Sequence, residues 1–352
     1  MLLEKRGGRI QQGLIAGGLV AALLLLVWAA DLFMGLRLTL TNTYFVPEDV
    51  PPQIVIVALD DQSLQRYGRS PLNWPRSVYT DLVHVLDAAG ARIVAFDLLF
   101  SEPSPDDASF AAALQQARQS DSRLRAVLAA TGVNPGLPAT DLADFPNALK
   151  FENVLLPTAT LVDAVDYLGF VNTYTDVDGV VRRQPSLLDV GGQPALSWSM
   201  AVYLAYLRVP GAALTQVIEC DGAALHIAGG QTVHVDSLGM WLQHFYGPPP
   251  HQDYQTFPIF SLVDVLAGRV APAEFDDRIV LVGLLNSAGA PDRYAVPSAA
   301  SGQQMNGVEI QANAIMTLIR GDSLRWLPDG GQALLIGLTT ILTSLLYMHL
   351  RW

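Results

Sequence analysis

Residues 54–61, IVIVALDD, and 92–97, RIVAFD, set the architecture. Each is a short run of β-branched and apolar residues ending in a carboxylate. A run without polar alternation has no solvent face, so it predicts a strand covered on both sides, as in parallel sheets. Between the two runs lies a Gly/Pro/Asn stretch (68–75). Next comes 76–89, in which Val78, Leu82, Val85, Leu86 and Ala89 recur at helical spacing. Pro75 suits the first turn of that helix and Gly90 its stop. Strand, helix and strand in this order predict a right-handed crossover with the two strands adjacent.

Further along, a helix is predicted over 106–119, with Asp106 or Asp107 as its cap. RAVLAA (125–130) reads as a third strand, and RIVLVGL (278–284) repeats the buried-strand pattern. Over 307–319, Val308, Ala312, Ile315 and Ile319 lie on one stripe of a last helix. Between about Gly179 and Phe257 the texture changes. There, 180–190, a Gly191-Gly192 turn and an amphipathic stretch (196–207) precede hairpin-like segments at 217–220, 224–228 and 232–235. The fold class is α/β: a mainly parallel sheet with flanking helices and an antiparallel β insertion, flanked in turn by transmembrane helices.

Those flanking helices follow from where the hydrophobicity sits. The 352 residues are 51% hydrophobic and only 15% charged, whereas soluble domains carry about 25% charged residues. The excess is terminal. Gly13 to Ala30 has eighteen residues without a charge, and 330–348 has nineteen. At 1.5 Å per residue either run approaches the ~30 Å hydrocarbon core. The first is longer than the apolar core of a cleaved signal peptide. Lys5, Arg6 and Arg9 precede it, while His349 and Arg351 follow the second, so both termini are expected on the cytoplasmic side of a bacterial plasma membrane. The expected division is a cytoplasmic N-terminus (1–12), a span (13–32), an extracytoplasmic domain (37–325), a second span (330–348) and a short tail (349–352). Setting aside Glu4, Asp31, Lys5, Arg6, Arg9 and Arg351 leaves 31 acidic and 17 basic residues between the spans, a net charge of −14. Such a surface excludes a nucleic-acid partner. The lone Cys220 forms no intrachain disulfide.

Chemistry-bearing residues gather at strand ends. Adjacent parallel strands finishing in Asp60-Asp61 and Asp97 place their acids on the rim where open α/β sheets bind ligands. Asp107 and Asp292 can join them, with Arg76 at a helix start to neutralise one carboxylate; a divalent cation, held by Asp60 and Asp97, would neutralise more. Against this stands a structural reading in which Asp61 and Asp107 cap helices and Asp60 or Asp97 pairs with Arg76. Asp176-Val177-Asp178-Gly179 resembles the start of a calcium loop, but positions five and twelve are Val180 and Leu187. It is expected to be a turn opening a hairpin, with Arg182-Arg183 available to pair with acids. Trp74 and Trp198 either line a pocket or pack. The histidines are scattered, and phosphate-loop, serine-hydrolase and zinc-protease motifs are absent.

The order of these residues resembles the CHASE type 2 family of extracellular sensory domains in bacterial receptors. The resemblance rests on Asp60-Asp61, Gly68, Trp74-Pro75-Arg76, Gly90-Ala91, Ile93 to Asp97, Phe100 and Glu102-Pro103. It continues through Gly169 to Asn172, Asp176 to Gly179 with Arg182, Ile279 to Gly283, Asp292, Pro297 and Gly307 to Asn313. It implies a sensor rather than an enzyme, with a cyclase or kinase as the cytoplasmic output. Members carry more spans after the domain than the one seen here. The expectation is therefore a fragment, or a chain working with a membrane partner as a homodimer or beside a separate effector subunit. The first reading is thus a membrane-anchored sensor for a small molecule or ion. The alternatives are an exported metal-dependent hydrolase using Asp60, Asp97 and Asp292, and a non-catalytic subunit of a membrane assembly.

Overall fold

The computed structural model describes residues 2–32, 34–119, 122–133, 142, 145, 148–213, 216–250, 254–285, 292–299 and 303–350. In chain order the principal elements are α1 (Leu2–Ala29), α2 (Met34–Thr41), β1 (Ile54–Leu59), α3 (Asp61–Tyr67), α4 (Arg76–Ala88), β2 (Ile93–Phe96) and α5 (Asp107–Arg118). They continue with β3 (Arg125–Gly132), β4 (Tyr167–Phe170), α6 (Trp198–Tyr206), β5 (Ile259–Ser261), β6 (Ile279–Leu284), α7 (Gly307–Arg320) and α8 (Asp329–Leu350). Shorter strands are given by residue range. The chain divides into two units: Met1–Tyr44 with Arg325–Trp352, and Phe45–Leu324.

In the larger unit the main sheet runs β5-β1-β6-β2-β3-β4, every neighbour parallel. The short strand Val154–Leu155 adds an antiparallel pairing against the end of β3. Alternate residues of the central strands feed two cores. Ile54, Ile56, Ile93, Ala95, Ile279 and Leu281 face α6 and α7. Val55, Val57, Val94, Phe96, Val280 and Val282 face α4 and α5. With both faces dry, a polar residue inside any of these strands would be buried without a partner, which explains the uninterrupted apolar runs.

The expected strand order is corrected by the structure. β1 and β2 are not adjacent, because β6 lies between them, with Leu281 opposite both Ile56 and Ala95. Unbroken apolarity reports burial on both faces, and β1, β2 and β6 share it equally. Burial alone therefore cannot order parallel strands. The insertion is antiparallel, as expected: Arg183–Pro185 pairs with Met240–Leu242, Leu187–Val190 with Gln193–Leu196, and Ile218–Cys220, Ala224–Ile227 and Gln231–His234 form a three-stranded sheet. Leu187–Val190 also pairs in parallel with Leu149–Phe151. Within the stretch expected to be amphipathic lies α6, which is buried from Trp198 to Ala205. Its outer side is covered by Ile218, Leu225, Ile227 and Val233 of the three-stranded sheet.

The smaller unit is an antiparallel pair, α1 against α8. A side chain at Gly17 would stand 3.0 Å from Ser344 Cβ and 3.1 Å from Ile341 Cα. Close approach lets Ser344 Oγ donate to the Gly13 carbonyl at 2.9 Å, and near the other end Trp28 Nε1 donates to Gln332 at 3.2 Å. Stretches Gln11–Ala29 and Asp329–Leu350 are long and apolar enough to cross a bilayer. Their leucines face outward: Leu19 is 69% exposed and Leu342 61%.

Candidate functional site

At the carboxyl end of β1, Asp60 is the N-cap of α3. Its Oδ1 accepts from Ser63 N at 2.9 Å, Ser63 Oγ at 2.7 Å and Ser261 Oγ at 3.0 Å. Ser261 belongs to β5, so the carboxylate is turned away from β6 and β2. Asp97, two strands along, is roughly 10 Å distant at the usual strand spacing. The structure therefore does not bring Asp60 and Asp97 around one ion. Asp61 lies exposed in the first turn of α3, where an acid suits the helix dipole.

Arg76 is buried at the start of α4, and its hydrogen bonds are spent on structure. Nε donates to Asp107 Oδ1 at 3.1 Å, Nη2 to the Glu102 carbonyl at 2.8 Å and Nη1 to the Leu72 carbonyl at 3.3 Å. The guanidinium also sits 4.7 Å from the centre of the Phe100 ring. The other oxygen of Asp107 accepts from Ser104 N and Thr158 Oγ1. Arg76 and Asp107 thus form a strut between α4 and α5, and Arg76 pairs with neither Asp60 nor Asp97. Trp74, also buried, donates to the Gly68 carbonyl at 2.7 Å and stacks on Tyr79, so it packs rather than lining a pocket.

Asp97 and Asp292 are brought together. Asp97 follows β2, anchored by its amide to the Val282 carbonyl at 2.8 Å. Burial, reinforced by the Asp292 carboxylate, pushes its carboxyl up to about 8. Burial raises Asp292 too, opposed by a hydrogen bond with Tyr294. Tyr294 is itself pushed up to about 12 by burial and by Asp292. Asp292 lies at the N-terminus of α7. Gly307 N donates to the Asp292 carbonyl at 2.9 Å, and a Cβ on Gly307 would lie 2.1 Å from Asp292 Oδ2. Only a glycine lets the carboxylate approach the helix end this closely.

The same helix end carries a third raised acid. Glu309 Oε2 accepts from Asn306 N at 3.3 Å and Nδ2 at 2.7 Å, the return half of a capping box. Burial pushes Glu309 up to about 7, against the Asn306 hydrogen bonds and the Arg293 charge. Arg293 donates to Asn306 Oδ1 at 3.2 Å across the two-stranded pairing of Arg293–Tyr294 with Met305–Asn306. Sequence reasoning missed Arg293, Tyr294 and Glu309. The Asn306-x-x-Glu309 capping pattern was the available signal for the last. Two desolvated carboxyls near enough for one to raise the other cannot both ionise cheaply, so near neutral pH the pair holds a proton or attracts a cation. No group of three metal-capable side chains occurs among the described residues, and the three-acid centre of the hydrolase alternative is not assembled.

The Asp176–Gly179 segment is a turn, closed by Gly179 N to the Asp176 carbonyl and Asp176 N to the Val180 carbonyl, both at 2.9 Å. It does not open a hairpin with the next strand, because Arg183–Pro185 pairs with Met240–Leu242 instead. Arg182, with no exposed surface, bridges both acids: Nη1 to Asp176 at 2.8 Å and Asp178 at 2.9 Å, and Nη2 to Asp178 at 2.7 Å. Arg183 reaches Asp176 from Nε at 2.9 Å and Nη2 at 2.6 Å, and also pairs with Asp236. These carboxylates hold arginines where a calcium loop would hold an ion.

The sequence matches the profile of the CHASE2 domain over residues 13–346, nearly the whole chain. No curated protein and no solved structure matches it. An α/β core of this pattern and a family match of this length lead to one conclusion: the chain belongs to the CHASE2 domain family, a family of extracellular sensory domains.

Proposed function

We propose that this chain is the signal-input part of a bacterial receptor, held in the plasma membrane by α1 and α8 with Phe45–Leu324 outside and both termini in the cytoplasm. The stimulus is a small molecule or ion acting at the Asp97–Asp292 rim, and the message passes to a cytoplasmic output module. One observation carries the reading: Asp292, whose carboxylate helps to raise Asp97, lies against the N-terminus of α7, the last helix before α8. A stimulus that changes the charge of the pair acts directly on the helix that leads back to the bilayer. Such a stimulus must bind two arrangements of the domain unequally.

The membrane part is tested by labelling. In a Cys220→Ser background, Val177→Cys places a thiol at a position that is 78% exposed. A membrane-impermeant maleimide added to intact cells labels it if the domain is outside; labelling only after lysis overturns the topology. The rim is tested in the full chain in lipid nanodiscs by a thermal-shift screen of cations and small metabolites. A stimulus that binds the folded state raises the Tm by mass action, and Asp97→Asn abolishes the rise. A rise that survives both Asp97→Asn and Asp292→Asn removes the rim from the reading.

A further inference from the structure

The amino edge of the main sheet, opposite the Asp97–Asp292 rim, is lined with arginine. Arg278, Arg92 and Arg125 stand at or just before the starts of β6, β2 and β3, three neighbours in the sheet. Arg92 N donates to the Arg278 carbonyl at 2.9 Å and Arg125 N to the Arg92 carbonyl at 3.1 Å. Arg208, two residues beyond α6, closes the group. Arg92 Nη2 donates to the Tyr206 carbonyl at 2.8 Å, and its guanidinium lies 4.4 Å from the centre of the Tyr206 ring. Arg208 Nη2 donates to the carbonyl of Arg123, two residues before Arg125.

Like charges therefore collect on one edge of an acidic domain. Burial, joined by the charges of Arg125 and Arg92, holds the Arg208 guanidinium below its ordinary value. Among the described residues a single carboxylate is ion-paired to Arg92, Arg125 or Arg208: Asp277, 61% exposed and 3.4 Å from Arg92 Nη1. Nearby Asp166 is taken by Arg118 at 2.7 Å. Arg125 Nη1 donates to the carbonyls of Ala117, Ser122 and Leu124. Arg92 Nε and Arg208 Nη1 are buried with no hydrogen-bond partner. Carbonyl oxygens carry only partial charge, so the group is short of both negative charge and acceptors.

The backbone is strained to assemble it. Arg208 has a φ of 60°, left-handed, at the position after a helix where glycine is usual. It is pinned there by Arg208 N to the Ala205 carbonyl and Val209 N to the Leu204 carbonyl, both at 3.1 Å, and by the Tyr167 hydroxyl donating to the Val209 carbonyl at 2.8 Å. An arginine in this place costs conformational energy and adds a third charge to two others.

We infer that Arg92, Arg125 and Arg208 form a binding site for a phosphate-type oxyanion, which supplies the negative charge that the surrounding protein lacks. Arginine forks match phosphate oxygens in pairs, and the long side chains turn on their stems to present their free N–H groups, a rotamer change common on binding. The chemistry is the same for a free phosphate compound and for a lipid headgroup. The site is separate from the rim and does not depend on it.

The test uses the full chain in phosphatidylcholine nanodiscs, with pyrophosphate as probe and acetate as the monoanionic control, read by titration calorimetry and thermal shift. Pyrophosphate is expected to bind saturably and to raise the Tm, less at high salt, and acetate to do neither. Nanodiscs containing phosphatidylglycerol test the other source. A response to pyrophosphate assigns the site to a free anion; a rise in Tm with phosphatidylglycerol alone assigns it to a headgroup. Arg208→Asn removes the charge while asparagine accepts the left-handed backbone, so the variant keeps its fold, as circular dichroism will check. It should weaken the responding anion about tenfold, and Arg92→Gln should do the same by an independent change. An Arg208 that serves only as a strut to the Arg123 carbonyl leaves anion binding unaltered in Arg208→Asn. That result, or the lack of any response to pyrophosphate and to phosphatidylglycerol, overturns the inference.

Discussion

Asp97 and Asp178 show why the same residue type carries opposite consequences in one domain. Asp97 goes from 3.8 in an ordinary setting to about 8 in the fold. A carboxyl raised on folding contributes stability that is fully present below its unfolded value and is lost as pH rises through its folded value. Glu309, raised from 4.5 to about 7, acts in the same direction. Asp178 is held low, chiefly by its hydrogen bond from Arg182, so its stabilisation is present above the unfolded value and lost as pH falls. The two effects leave a maximum on the acid side of neutrality. Denaturant midpoints should fall between about pH 5 and pH 8, and Asp97→Asn should flatten that slope while stabilising the alkaline end by about 1–3 kcal/mol. A wild-type midpoint that rises over this interval contradicts the assignment of Asp97. Arg182→Lys supplies a second test among single residues. A single ammonium cannot serve two carboxylates in the planar arrangement that Arg182 uses, and the side chain is fully buried. A loss of about 2–4 kcal/mol in urea denaturation is expected, and a loss under 0.5 kcal/mol, about the size of an ordinary surface substitution, shows the network to be dispensable.

Among the elements, legibility follows burial. IVIVAL at 54–59 is β1 without adjustment, and the helix expected over 76–89 is α4, Arg76–Ala88, because a sharp change from one period to another marks both boundaries. Position in the sheet is not legible. β6 wedges between β1 and β2, and nothing in three equally apolar runs ranks them. The same gap hides the rim: Asp60 and Asp97 read as neighbours in sequence logic, yet it is the carboxylate of Asp292, beyond β6 in the chain, that acts on Asp97. Arg76 reads as a partner for an acid, but Asp107 rather than Asp97 holds it, since the pairing depends on how α5 returns over α4. The helix pair at the termini is testable as an element. Gly13 and Gly17 admit α8 to within contact of the α1 backbone, and small residues of this spacing let helices pack without a hydrophobic driving force in lipid. Gly17→Leu should push the helices apart. Disulfide cross-linking between Gly13→Cys and Leu345→Cys, efficient otherwise, should then drop several-fold in membranes. Unchanged cross-linking means that the pair is held by something other than the glycine contact.

Across the whole domain, α7 joins two charged clusters, one at either end. Its N-terminus meets Asp292, Asn306 and Glu309; its last turn meets Glu48 through Arg320. Between them Val308, Ala312, Ile315, Met316 and Leu318 are sunk in the core that faces β1 and β6. At 1.5 Å per residue its 14 residues span about 21 Å, well beyond the 7–10 Å over which distant substitutions stop interacting. If α7 moves as a rigid body against the sheet, a change at one end alters the cost of a change at the other. If the two ends relax locally, the effects add. A double-mutant cycle between Asp97→Asn and Arg320→Ala, read by denaturation of the full chain in detergent, separates these cases. A sensor in which α7 transmits predicts a coupling of about 0.5–2 kcal/mol, while additivity within about 0.3–0.5 kcal/mol marks α7 as a passive strut. The coupling should be largest above about pH 8, where Asp97 is ionised, and should shrink at pH 5, where Asp97 is protonated in the wild type, so that Asp97→Asn changes little and leaves Arg320→Ala acting alone.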